Sequence, residues 1–145
     1  KLWQARHDCY YSVKAQGNNF KVYSTDVCVP LSNLVECINF TEEEIKKLGL
    51  KAPMVGHVGD GNFHAIIGYD PNKKGEYEKI RTLSNKLIDK TLELEGTITG
   101  EHGIGLHKKA YLLKEHADNI PAMKLIKRSL DNNNIMNPGK IFDLN

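Results

Sequence analysis

Residues 53–69, PMVGHVGDGNFHAIIGY, decide the fold. Two runs of β-favouring residues, Pro53 to Val58 and Asn62 to Tyr69, flank Gly59-Asp60-Gly61. An Asp-Gly pair between such runs is a strong short-range hairpin signal. With Asp60-Gly61 as a two-residue turn, the predicted pairing sets Gly59 against Asn62, Val58 against Phe63 and His57 against His64. Val58 and Phe63 then face a core, and the two imidazoles share the opposite face with Cβ atoms about 4.5–5.5 Å apart.

Upstream of the hairpin, Phe20 to Val29 carries Val22, Tyr23, Val27 and Val29 and stops at Pro30, which predicts a strand. A helix follows, with Ser32 or Asn33 as N-cap and Leu34, Val35 and Ile38 on one face, ending near Phe40. Thr41-Glu42-Glu43-Glu44 reads as a fresh cap with an acidic first turn. Downstream, Gly75 to Glu95 places Tyr77, Ile80, Leu83, Leu87, Ile88 and Leu92 on one stripe of a long helix. Gly96 ends it, and Thr97-Ile98-Thr99 is a short β-favouring run. The order over 20–99 is β-α-β-β-α-β: an α+β, ferredoxin-like split βαβ unit, an antiparallel sheet with both helices on one face. Helices over 1–15, about 106–116 and 120–131 flank it. The segment 106–145 forms a C-terminal helical part with a turn at Asn137-Pro138-Gly139.

The whole chain has 145 residues, 40% hydrophobic and 26% charged, with a net charge of +2. That suits one domain-sized globular unit. So small a basic excess argues against a nucleic-acid binder held by phosphate contacts. No stretch approaches the ~20 apolar residues of a membrane span, and the start lacks the apolar run of a signal peptide. Cys9, Cys28 and Cys37 are an odd number without CxxC spacing, the pattern of reduced or buried thiols. The chain opens on Lys1 within a helical pattern, which predicts a piece of a longer protein.

Two loops carry the candidate chemistry. His57 and His64 flank the hairpin tip, and Gly100-Glu101-His102-Gly103-Ile104-Gly105 follows the last predicted strand. Drawing the first and third strands parallel, and the fourth antiparallel to the first, brings the end of the fourth to the rim where the hairpin turns. Two imidazoles and a carboxylate then hold a divalent ion with positions left open, and the spare imidazole serves as base. The plain alternative is two glycine-rich turns with solvated histidines, or nests of backbone N–H groups that bind anions. Neither loop has the spacing of a P-loop or a dinucleotide fingerprint. Arg6 lies on the first helix, where a guanidinium either clamps a carboxylate or is simply solvated.

HVGDGNFH (57–64), GTITGEHGIG (96–105) followed by Lys108-Lys109, and IMNPGKIF (135–142) together resemble the carboxy-terminal part of FAD-linked 2-hydroxyacid dehydrogenases, flavoproteins of the vanillyl-alcohol-oxidase type. LWQARHDCYY (2–11) and YSTDVCVPLSNL (23–34) extend the likeness across nearly the whole chain. They point to the mitochondrial D-lactate-oxidising branch, with glycolate- and D-2-hydroxyglutarate-oxidising branches next. The resemblance implies oxidation of a D-2-hydroxy acid to the 2-keto acid with FAD as hydride acceptor and cytochrome c as onward electron acceptor. It implies His57, His64 and Glu101 as ligands of a divalent metal, zinc or manganese, and His102 as the base. By the same resemblance Arg6 binds the substrate carboxylate, Asn62 orients the site, and Asn137 lies in a segment that returns towards the flavin. It further implies a mitochondrial location and an FAD-binding domain outside residues 1–145, so that the piece alone neither holds FAD nor turns over. Ser24-Thr25 stand where the hydroxyglutarate branch carries a lysine, which disfavours a dicarboxylate substrate. Readings without flavin chemistry are a metal-binding ferredoxin-like module with no catalysis, or metal-dependent hydrolysis.

Overall fold

A computed structural model describes residues 2–144. Helix α1 (Leu2–Lys14) leads into strands β1 (Lys21–Ser24) and β2 (Val27–Cys28), then α2 (Leu34–Lys47), β3 (Met54–His57), β4 (Asn62–Tyr69) and α3 (Glu76–Glu93). Helices α4 (Lys109–His116) and α5 (Ile120–Leu130) complete the chain. The chain divides into two compact units, one ending at Gly100 and one beginning at Glu101.

In the first unit the sheet is antiparallel throughout and centred on β4. One side of β4 pairs with β3, the other with β1 and β2. Ser24 lies opposite Ile66 and Val27 opposite Phe63, so β1 and β2 are one strand interrupted at Thr25-Asp26 without a slip in register. Cys28 bridges onward to Thr97, which adds the last, minimal strand at the edge. This is the split βαβ order expected from the sequence, and the α+β class holds.

The alternation along β4 sends Phe63, Ala65 and Ile67 to one face and Asn62, His64 and Ile66 to the other. Ala65 and Ile67 pack with Ile45 of α2 and Ile80 and Leu83 of α3, all buried. Helices α2 and α3 therefore share one face, held by burial of aliphatic side chains at close-packed density. The second face is also covered: Val13 of α1 is buried, and Gly68 leaves just enough room for Val13 and Phe20. The flanking N-terminal helix thus lies on the face that carries the polar residues of β4.

Several local expectations are corrected. The loop between β3 and β4 is longer than two residues: Val58–Asp60 form a turn of 3-10 helix and Gly61 is left-handed at φ 76°. The pairing is therefore His57 with Asn62, Gly56 with Phe63 and Val55 with His64. Val58 is out in solvent rather than in the core. The first and third strands of the split βαβ unit run antiparallel, since a helix crossover makes the first and second parallel and the third pairs between them. Helix α2 does not restart at Thr41, whose buried hydroxyl donates to the Cys37 carbonyl inside a continuous helix at 2.7 Å. Asn33 is the N-cap residue, but its side chain bonds no amide of the first turn and donates instead to the Leu94 carbonyl at 2.9 Å. At the end of α3 the left-handed residue is Glu95 (φ 59°). Gly96 is required because a Cβ there would overlap the Cys28 carbonyl.

In the second unit, Lys109 bonds the Gly139 carbonyl at 3.1 Å and the Asp143 carboxylate at 2.6 Å. Asp131 closes the turn after α5 by pairing with Lys127 and accepting from the Ile135 and Met136 amides, each at 2.9 Å. Among the described residues no helix is long and apolar enough to cross a membrane.

Candidate active site

The interruption at Thr25-Asp26 builds the site. In an unbroken ladder Thr25 would offer its carbonyl to β4. Here its hydroxyl accepts the Ala65 N–H at 2.8 Å instead, while its own N–H still donates to the Ala65 carbonyl at 3.1 Å. The Thr25 carbonyl is thereby released to His64, whose Nδ1 lies 2.8 Å away. A carbonyl only accepts, so Nδ1 is the donor in this bond, which leaves Nε2 as the nitrogen that can ligate. A backbone carbonyl fixing one ring nitrogen is the usual support of a metal-ligating imidazole.

Asp26 is a buried residue of this site that the sequence reading did not single out. It is only 2% exposed, yet its carboxylate is well provided with donors. Oδ2 accepts from the Thr99 hydroxyl at 2.7 Å, Oδ1 accepts from Asn62 Nδ2 at 3.1 Å, and Oδ1 lies 3.9 Å from His64 Nδ1. The available signal was a lone carboxylate inside the β-favouring stretch VYSTDVCV (22–29), where a strand would otherwise bury it at high cost.

Asn62, buried at 6% exposure, donates from Nδ2 to both Asp26 Oδ1 and the Val27 carbonyl, the latter at 2.9 Å. Its Oδ1 is buried and accepts no hydrogen bond among the described residues. Gly100 lies directly against this amide, and a Cβ there would overlap Nδ2. The Thr97 bridge is a single residue pair, so the chain is still at the hairpin rim when it reaches Gly100.

His57 ends β3 opposite Asn62 and is exposed. It is a diagonal rather than a direct neighbour of His64, at a typical Cβ separation somewhat under ~7–8 Å, but on the same face. Its Nε2 meets Arg6 Nη2 at 2.7 Å across from α1. A guanidinium only donates, so His57 Nε2 is the acceptor in this bond. Arg6 also lies 5.5 Å from the centre of the Trp3 ring, and its Nε is buried with no acceptor among the described residues. Cys28 lies beside this group. Burial, with the nearby charges of Asp26 and Asp60, pushes its thiol up, and Sγ donates to the Asp60 carbonyl at 3.2 Å.

Arg6, His57, Asn62 and His64 are thus gathered on one face and at one end of the first unit. Glu101 and His102 open the second unit, with His102 Nε2 3.8 Å from Glu101 Oε1. Asn137 sits in the turn before the C-terminus with a left-handed backbone, φ 47°, and accepts from the Lys140 amide at 3.3 Å.

The family described as FAD linked oxidases, C-terminal domain, matches residues 1–141, and the chain belongs to it. A probable mitochondrial D-lactate dehydrogenase of Danio rerio is 46% identical over 145 residues, covering 99% of this chain and 29% of the relative. The mitochondrial D-lactate dehydrogenase [cytochrome] of Arabidopsis thaliana is 39% identical over 143 residues, 98% of this chain and 25% of the relative. The glycolate oxidase subunit GlcD of Bacillus subtilis is 38% identical over 118 residues, 81% of this chain and 25% of the relative. The chain therefore spans between 25% and 29% of the length of these curated relatives.

Proposed function

We propose that this chain is the substrate- and metal-binding part of an FAD-dependent D-lactate dehydrogenase, oxidising a D-2-hydroxy acid to the 2-keto acid. The observation that carries this reading is the group of Arg6, His57, Asn62 and His64 under α1, in a chain of the FAD-linked oxidase family. The buried Arg6 Nε is a donor in want of an acceptor, and a substrate carboxylate is such an acceptor.

In this reading His57, His64 and Glu101 hold a divalent ion, zinc or manganese. The His64 tautomer suits it, because the lone pair on Nε2 is fixed by the bond from Nδ1 to Thr25. Glu101 and His102 are the first residues after Gly100. With consecutive Cα atoms about 3.8 Å apart, they are within reach of the rim that Gly100 occupies. Arg6 takes the carboxylate, which releases His57 Nε2 from the guanidinium. His102 takes the hydroxyl proton, and Asn137 serves the flavin side. When bound, the ion lowers the hydroxyl pKa and FAD supplies the hydride acceptor. Cytochrome c as electron acceptor and a mitochondrial location belong to the same proposal, supported by the names of the relatives.

The full-length protein tests this. D-lactate should bleach the flavin absorbance. His102→Ala should lower turnover by about 10²–10⁴-fold with the bound flavin spectrum intact. Unchanged turnover would remove His102 from the role of base. His64→Ala should reduce the metal retained per chain, read by elemental analysis. Bleaching by glycolate but not by D-lactate would move the chain to the glycolate-oxidising branch, and bleaching by neither would end the proposal.

A further inference from the structure

The geometry points to Asp26 as a positioning residue that locks the Asn62 amide with its oxygen as the ligand-facing atom, so that the site selects the 2-hydroxy acid over its 2-keto acid. The inference rests on the substrate class proposed above and adds to it the direction of discrimination.

An asparagine amide in isolation has two orientations, one presenting oxygen and the other nitrogen. Here both neighbours of the nitrogen end are obligate acceptors: the Asp26 carboxylate at 3.1 Å and the Val27 carbonyl at 2.9 Å. Turning the amide would set its oxygen against two oxygens, one of them charged. The Thr99 hydroxyl, donating to the other oxygen of Asp26 at 2.7 Å, keeps the carboxylate in that role. The opposite end, Asn62 Oδ1, is then a buried acceptor with no donor among the described residues. A buried polar atom without a partner costs more than a satisfied one gains, so a ligand that brings a donor is favoured and one that brings a lone pair is penalised. A 2-hydroxy acid and its 2-keto acid differ at that atom: the first carries an O–H, which donates to Asn62 Oδ1 in the bound ground state and rotates to His102 only as the hydride leaves, whereas the second has only a carbonyl oxygen. Sites built around a hydrogen bond to substrate reject analogues lacking it far more strongly than apolar pockets do. Weak retention of the keto acid also assists release of product.

The test compares the flavin-loaded full-length protein with Asn62→Ala and Asp26→Asn. It uses three ligands: D-lactate, its O-methyl ether and pyruvate. Dissociation constants of the ether and pyruvate are read from perturbation of the oxidised flavin spectrum without turnover, and that of D-lactate from the concentration dependence of flavin reduction. In the unaltered protein D-lactate should bind about tenfold more tightly than either analogue, the size expected of one buried hydrogen bond. Asn62→Ala should weaken D-lactate alone and close that gap. Asp26→Asn, which removes the charged one of the two acceptors holding Nδ2 and leaves only the Val27 carbonyl, should narrow it mainly by tightening pyruvate. Should Asp26→Asn fail to fold, Thr99→Val makes the same comparison, since it removes one donor from the carboxylate and should narrow the gap about two- to threefold. Equal weakening of all three ligands in Asn62→Ala would mean that Asn62 only packs, and an unchanged gap in both Asp26→Asn and Thr99→Val would remove Asp26 from this role. If none of the three ligands affects the flavin of the unaltered protein, the substrate class itself is wrong and this inference falls with it.

Discussion

Gly61 is the residue on which the hairpin geometry turns. Its φ of 76° is left-handed, and a Cβ would overlap the Val29 carbonyl. Gly61→Ala should therefore cost about 1–2 kcal/mol for the backbone alone, with the steric overlap adding to it. Urea unfolding would measure this, and a variant as stable as the parent would contradict the account. The same residue explains why the two-residue turn does not form. The left-handed position closes a 3-10 turn over Val58–Asp60, and this shifts the pairing partner of His57 from His64 to Asn62. Because the shift moves each partner by two residues, the face of every side chain is preserved. The grouping of His57, Asn62 and His64 was therefore legible in the sequence although the register was not.

At the scale of elements, the broken strand β1–β2 does what a continuous one cannot. Thr25 substitutes its hydroxyl for its carbonyl as acceptor of the Ala65 N–H and so frees the carbonyl for His64. Thr25→Val keeps shape and β-propensity but strands that buried N–H. The expected loss is about 1–3 kcal/mol in thermal or denaturant unfolding. A neutral outcome would mean that Ala65 finds another acceptor. Asp26 stands out locally only as a lone carboxylate, and neither it nor the threonine announces its partners, since the pattern of Phe20 to Val29 reads as one uninterrupted strand. The reason lies across the sheet, in β4 and Thr99, which supply the donors that make a buried carboxylate tolerable. Helix α2 offers the same lesson. Thr41 resembles a fresh N-cap, but packing of Ile45 against β4 and α3 keeps the helix continuous through it.

For the whole molecule, carboxylates in both units hold depressed pKa values. Glu44 is held below the ordinary value near 4.5 by its bonds to Lys47 and Lys86, and Glu76 by its bond to Lys73 and the Asp70 amide. Asp131 is held below its ordinary value near 3.8 by Lys127 and by the amides of Ile135 and Met136. A carboxylate whose folded pKa is lower than its unfolded one binds protons more readily in the unfolded chain. The stabilisation is therefore complete above the ordinary carboxylate range and is lost as pH falls through the lower folded values. The unfolding midpoint should drop on acidification below about pH 4.5, and Glu44→Gln should flatten that dependence. An unchanged acid limb would show that Lys47 and Lys86 do not hold Glu44 in solution. By itself the sequence determined the β-α-β-β-α-β order, the long helices, the α+β class and the motifs that mark the family, because periodicity, turn residues and motif spacing are local properties. Only the tertiary structure decided the hairpin register, the covering of the polar sheet face by α1, and the use of Asp26 as a buried anchor. Each of these depends on which donors and apolar surfaces distant segments bring into contact, and no local pattern encodes that.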